Sequence, residues 1–222
     1  MINTIFLIGA PCVGKTTVGL QLQEQFGFKL IQMSEILSAN GGDSIPSHII
    51  YQILKQKLSS LESNEIAIID GSPKTMESVL QWGVCEYPPI CVIYFECHSQ
   101  NLNLRSMEKL QLTARGDDTG EMNIEKRQTL FTKYITDIVN LYIDMEILYS
   151  VDANQDKNHV LNKVCMILAR EFHNRNIFKD QIILTRMKTV IDKGVEKSKP
   201  SKDQERINDA TLSVSKALSV SH

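Results

Sequence analysis

Long apolar runs are missing from this 222-residue chain. No stretch approaches the ~18 residues that a membrane-spanning helix requires. The first apolar run, Ile5 to Ile8, has no basic leader, so neither an anchor nor a signal peptide is expected. A strong charge of one sign is missing too. The net charge is −2, which carries no global footprint of nucleic acid or of a membrane surface. Cysteine is sparse and unpatterned: Cys12, Cys85, Cys91, Cys97 and Cys165 are odd in number and have no C-x-x-C spacing. That excludes a disulfide framework and a zinc site as readings and favours a reducing compartment, so a cytoplasmic location is expected. There is no internal repeat. What remains is ordinary: 42% apolar residues, enough to bury the core of one large domain, or of one typical domain with an appendage.

The apolar pattern alternates between two periods. Ile2 to Ile8 reads as a short buried strand, Thr16 to Phe26 as a helix, and Lys29 to Met33 as a second strand. Ser47 to Leu61 carries Ile49, Ile50, Ile53, Leu54 and Leu58 at helical spacing. Glu65 to Asp70 and Pro88 to Cys97 read as strands, the latter preceded by two prolines. A long helix over Asn123 to Tyr142, a strand in "ILYSVDA" and a helix over Val160 to Phe172 complete the series. Strands alternating with helices imply an α/β fold with a parallel sheet covered on both faces. Ligands of such sheets bind beyond the carboxyl ends of the strands, where Gly9, Asp70 and Asp152 fall.

The character changes after Phe172. Residues 173–222 hold ten Lys and Arg against six Asp and Glu, whereas residues 1–172 hold 14 against 20. "NIFKDQIILTRMKTVI" can form one amphipathic helix, "EKSKPSKDQE" reads as a polar linker, and "INDATLSVSKALSV" is a weaker helical pattern. The expected organisation is therefore a domain over 1–172 and a basic tail over 173–222. Composition favours a mobile tail with transient helices. A docked helix or a partner-binding segment is the other reading.

Three groups of residues carry chemistry. Gly9-Ala10-Pro11-Cys12-Val13-Gly14-Lys15-Thr16 matches G-x-x-x-x-G-K-[ST] between a strand and a helix. Such a turn aims successive backbone N–H groups inward as an anion nest. The helix N-terminus adds partial positive charge, and Lys15 supplies a point charge for terminal phosphates. The hydroxyl of Thr16 or Thr17 can reach a magnesium ion. Asp70 ends an apolar strand, where it can hold magnesium-bound water beside the nest or merely begin the turn before Pro73. Arg105, Lys109, Arg115, Asp117, Asp118 and Arg127 form the third group. Arg105 and Lys109 are four apart and share a helix face. Phosphoryl transfer needs cations around the migrating group, although a charged run of this kind is also the usual solvated turn.

Together "GAPCVGKTT", "DGSPK", "ARGDD" and "VDANQDKNHV" resemble, in order and spacing, the adenylate kinase family of nucleoside monophosphate kinases. The resemblance covers about residues 1–172. It implies a three-layer P-loop fold with a five-stranded parallel sheet, a short lid over about 105–118 without zinc cysteines, and a second mobile segment over the phosphate acceptor. The family's nest falls on Gly9 to Thr17, its D-G-[FY]-P-R on Asp70 to Lys74, its R-x-x-x-R on Arg105 and Lys109, and its R-x-D-D on Arg115 to Asp118. The arginine of the following helix falls on Arg127, one residue beyond the family spacing, with Lys126 as the alternative. The resemblance thus implies catalytic roles for Lys15, Arg105, Lys109, Arg115 and Arg127. It implies ATP contacts from Gly9 to Thr17, Lys109 and Gln155, and magnesium held by Thr16, Thr17 and Asp70. Acceptor contacts fall on Ser34, Ile45, Gly71, Ser72, Pro73, Lys74, Arg115 and Arg127.

The departures cluster on one side. Met33 stands where the family has an acceptor-contacting Thr, Ser38 where it has an Arg, Lys74 where it has an Arg, and Ser78 where a Gln would read the acceptor base. The helical excursion between "MSEILS" and "IP" is also missing, and Cys12 replaces a nest glycine. Three functions follow as expectations. The first is a phosphotransferase using MgATP and a nucleoside monophosphate, AMP or a related acceptor. The second is an ATP-binding regulator with a degraded acceptor site, and the third is a nucleotide hydrolase. A monomer is expected, with no nucleic-acid or membrane partner and with the tail free to take an unknown one.

Overall fold

The computed structural model describes residues 2–40, 45–63, 65–83, 87–112, 119–177 and 182–198. Its centre is a five-stranded parallel sheet built from β1 (Asn3–Gly9), β2 (Lys29–Gln32), β3 (Ile66–Asp70), β4 (Pro89–Glu96) and β5 (Leu148–Asp152), in the order β2-β3-β1-β4-β5. Eight helices are described: α1 (Lys15–Phe26), α2 (Met33–Ala39), α3 (Ser47–Ser59), α4 (Met76–Gly83), α5 (Ser99–Leu112), α6 (Thr119–Asp144), α7 (Lys157–Asn174) and α8 (Ile182–Ser198). The α/β reading and the five parallel strands are therefore the observed architecture.

The central strands are apolar on both sides because both sides are covered. Ile5 and Leu7 of β1, Ile66 and Ile68 of β3, and Cys91, Ile93 and Phe95 of β4 face one core, with α1, α7 and α8. Phe6 and Ile8, Ala67 and Ile69, and Val92 alternate onto the other, with α2, α3, α4 and α6. In the second core the Phe6 ring meets Trp82 edge-on at 4.7 Å, with Tyr142 beyond it at 6.4 Å. Side chains buried to this degree each contribute about 1.5–3 kcal/mol relative to exposure.

Local signals explain the helix starts. Thr75 and Ser78 exchange bonds as a reciprocal cap of α4: Ser78 N–H donates to Thr75 Oγ1 at 3.2 Å, and Thr75 N–H to Ser78 Oγ at 3.1 Å. Asp156 caps α7 by accepting from the N–H groups of Asn158 and His159. Met33, read from sequence as the end of β2, instead opens α2. Its side chain is buried under the second core together with Ile36.

α8 alters the picture of the C-terminal region. Met187 is fully buried, and Ile183, Leu184, Val190 and Ile191 pack beside it against the first core. The amphipathic face foreseen within Asn176 to Ile191 thus lies against α7 and α1 rather than free in solvent. Residues 199–222, with the weaker helical pattern, lie outside the described residues. No described helix is long and apolar enough to cross a membrane.

Candidate functional site

The turn between β1 and α1 has the backbone that its glycines permit. Gly9 has φ +148°, and a Cβ there would lie 2.9 Å from the carbonyl oxygen of Phe95, so a side chain is excluded. Gly14, the residue before α1, has φ +110°. Between them Cys12 adopts φ +64° without being glycine, a conformation that costs about 1–2 kcal/mol for an L-residue. The side chains of Ala10 and Val13 are buried away from the concave side, whereas Gly9, Pro11, Cys12, Gly14, Lys15, Thr16 and Thr17 line a cavity of about 560 Å³.

Lys15 folds back over the nest. Its ammonium donates to the carbonyl oxygens of Gly9 and Ala10, each at 2.8 Å. Burial pushes its pKa down to about 8, while the Asp70 carboxylate pulls the other way and Arg127 and Lys74 add to the lowering. Thr16 donates its hydroxyl hydrogen bond to the Asp70 carboxylate, so β3 and α1 are joined beneath the nest. A carboxylate beside a hydroxyl is a hard-oxygen donor set of the type that suits magnesium. Thr17, the alternative hydroxyl, is exposed on the cavity wall.

The cations come from three elements. Lys74 follows β3, Arg105 and Lys109 stand on α5, and Arg127 stands on α6; all four line the cavity. Lys126, the alternative to Arg127, does not. Arg105 also ties the site together, donating to Ala153 O at 2.7 Å and Val13 O at 3.2 Å. Arg115, Asp117 and Asp118 lie outside the described residues. Gln155 is not brought to the cavity. Its amide donates to Asp152 at 3.0 Å, and with Asn154 it holds that carboxyl below the usual range.

On the other side, Ser34, Ile45, Gly71, Ser72, Pro73 and Lys74 all line the cavity. Ser72 is buried, and its hydroxyl accepts from the indole N–H of Trp82 at 3.2 Å, so the small residue at this position is matched by a large one on α4. Ser38 is exposed and does not line the cavity. Sequence reasoning missed Tyr51, Gln81, Trp82, Phe131 and Tyr134, which line the same cavity. Their helical periodicity was readable, but which face meets the nest depends on how α3, α4 and α6 cross the sheet, and local pattern does not encode that.

No family model matches the chain. Curated proteins do. Adenylate kinase isoenzyme 5 of Homo sapiens is 25% identical over 180 residues, 73% of this chain and 32% of that protein. UMP-CMP kinase of Homo sapiens is 23% identical over 192 residues, 75% of this chain and 97% of that protein. UMP-CMP kinase of Sus scrofa is 22% identical over 194 residues, 76% of this chain and 98% of that protein. The chain thus spans about a third of the length of the first relative and nearly all of the other two.

Proposed function

We propose, from its similarity to nucleoside monophosphate kinases, that the chain moves the terminal phosphate of MgATP to a nucleoside monophosphate. The observation that carries the reading is continuity. One cavity is lined by the phosphate nest, Asp70, four cationic side chains and the aromatic rings of Tyr51, Trp82, Phe131 and Tyr134. A donor in the nest and an acceptor at the apolar end would place their phosphates face to face among the cations, the arrangement that in-line transfer needs.

In this reading the backbone N–H groups of the nest and Lys15 hold the donor phosphates. Lys15 leaves the carbonyls of Gly9 and Ala10 for the incoming anion and regains full charge there. Asp70 and Thr16 would hold magnesium, which when bound neutralises charge developing on the transferred group. Lys109 and Arg127 steady the migrating phosphoryl group, and Arg115, outside the described residues, takes the same role. Arg105 acts as a strut that fixes the nest against the end of β5. Lys74, with Gly71 and Pro73, receives the acceptor phosphate, and Ser34 and Ile45 border it. Product analysis tests the proposal. ATP with AMP, CMP or UMP should give two nucleoside diphosphates per turnover, and ATP alone should be stable. ADP that forms equally without any acceptor contradicts it in favour of hydrolysis, and no ADP under any condition contradicts it in favour of a binding role.

A further inference from the structure

One side chain outside the cavity wall joins the ends of β4 and β5 to the start of α5. Asn154 lies in the turn between β5 and α7, and its amide is used on both sides. Its Oδ1 accepts from the backbone N–H of His98 at 2.9 Å, from the Asn101 side-chain amide at 3.0 Å and from the Cys97 thiol at 3.3 Å. Its Nδ2 donates to the Asp152 carboxylate at 2.6 Å, and its backbone N–H donates to the same oxygen at 2.9 Å. A backbone N–H can only donate and an ionised carboxylate can only accept, so the amide has one orientation. His98 precedes α5 and Asn101 lies in its first turn. Asn154 therefore fastens the start of α5 to the end of β5.

Little else holds that end of the helix. Leu102 is the one apolar side chain of α5, among those described, that packs against a core, while Leu104 and Met107 are exposed. Arg105 supplies a second tie, to Ala153 O and Val13 O, but through a long side chain with several rotatable bonds. Lys109, on the cavity wall, stands two turns beyond Asn101, about 12 Å along the helix. A tilt of about 5° at the clamp moves Lys109 by about 1 Å, and a misplacement of that size can cost about 10²-fold in rate. We propose that Asn154 is a positioning residue for phosphoryl transfer: it fixes the first turn of α5 and thereby holds Lys109 over the migrating group. The inference rests on the transfer reading above. Asn154 does not line the cavity, so its effect passes through α5.

The test uses the full chain carrying Asn154→Ala, Asn154→Asp, or the exchange Asp152→Asn with Asn154→Asp. Each is assayed with ATP and AMP at a temperature where it is fully folded. Asn154→Ala should lower kcat about ten- to hundredfold. It should leave the dissociation constant of MgATP within about threefold, since the backbone donors of the nest are not on α5. Asn154→Asp should also be slow, because two carboxylates then face each other. The exchange keeps an acceptor oxygen at position 154 and moves the amide to position 152, so it should regain most of the parental kcat. In a Lys109→Met background, Asn154→Ala should cost less than about twofold more, because the two residues act as a unit. A side chain that only stabilised the fold would add its full cost to that of Lys109→Met. Parental kcat in Asn154→Ala, or full additivity with Lys109→Met, overturns the inference and leaves the transfer reading standing. If the parent forms no diphosphate from any acceptor, the transfer reading fails and amide hydrogen exchange decides the anchor. Exchange over 101–109 that is about tenfold faster in Asn154→Ala, the scale of one lost hydrogen bond, with α7 unchanged, retains Asn154 as the anchor of α5. Equal exchange overturns both.

Discussion

The two faces of the sheet carry different halves of the cavity and have different characters. On one face, α1 presents the nest and is backed by α7 and α8, with Leu22, Val164, Leu168 and Met187 fully buried behind it. On the other, α2, α3, α4 and α6 border the proposed acceptor end, whose described polar lining is Lys74, Arg127, Gln81 and several hydroxyl groups among apolar side chains. In the proposed reading the donor half depends on backbone geometry that Gly9 and Gly14 permit, together with the Lys15 ammonium. The proposed acceptor half depends on side chains from separate helices.

The sharpest break should come at Lys15. Lys15→Met should lower phosphate transfer ~10³-fold, the scale of removing one preorganised donor from a developing charge. It should not lower thermal stability, since burial already disfavours the charged ammonium in the empty site. A variant that keeps half the parental rate would detach the nest from the chemistry.

Next in size is the support behind the nest. Met187→Ala should cost about 2–5 kcal/mol in urea denaturation, as for other fully buried large side chains, because it opens a cavity between α8 and the first core. A chain ending near Phe172 should lose more than this single substitution, because it removes the whole of α8. If the truncated chain melts with the full one, α8 is an ornament and the two faces do not differ as described.

The acceptor half can be sharpened as well as broken. Lys74→Arg should lower the KM for AMP about three- to tenfold, since a planar guanidinium grips a phosphate with two parallel bonds where an ammonium offers a point charge. Ser38→Arg should change little, because Ser38 is exposed and away from the cavity wall.

Smallest is a pH effect. The Lys15 pKa is lowered from 10.5 to about 8 by burial, so the unfolded chain holds that proton more tightly than the folded one. This group therefore contributes increasing stability as pH rises from about 8 to about 10.5. Binding has the opposite trend: bound phosphates restore the charge, so MgATP should take up a fraction of a proton at pH 8–9 and almost none at pH 6.5. Calorimetry in buffers of different ionisation heat measures that uptake. A pH-independent value near zero would show that Lys15 stays fully charged when empty.

Much of this molecule is legible in its sequence for reasons that differ by element. β1, β3 and β4 are read correctly because strands buried on both sides leave continuous apolar runs, and α1, α3 and α7 because their periodicity extends over several turns. α2 and α4 are short, so Met33 passed for a strand residue and the capping pair Thr75 and Ser78 went unnoticed. α8 was visible as an amphipathic helix, but an apolar stripe does not say what covers it. The nest is legible because its eight residues are consecutive. The aromatic end is not, since Tyr51, Gln81, Phe131 and Tyr134 come from three helices and meet only once the sheet has placed them. Gln155 falls on a motif, yet its amide donates to the Asp152 carboxylate at 3.0 Å.

The comparison of the two halves is tested most directly by measuring two dissociation constants on one preparation, for MgATP and for AMP, by titration calorimetry at pH 7. A complete nest and an acceptor end gripped by Lys74 in place of arginines predict that MgATP binds about 10²-fold more tightly than AMP or better, with each missing charged hydrogen bond weakening AMP by about 1.5–3 kcal/mol. Equal affinities, or AMP binding the more tightly, would contradict the account.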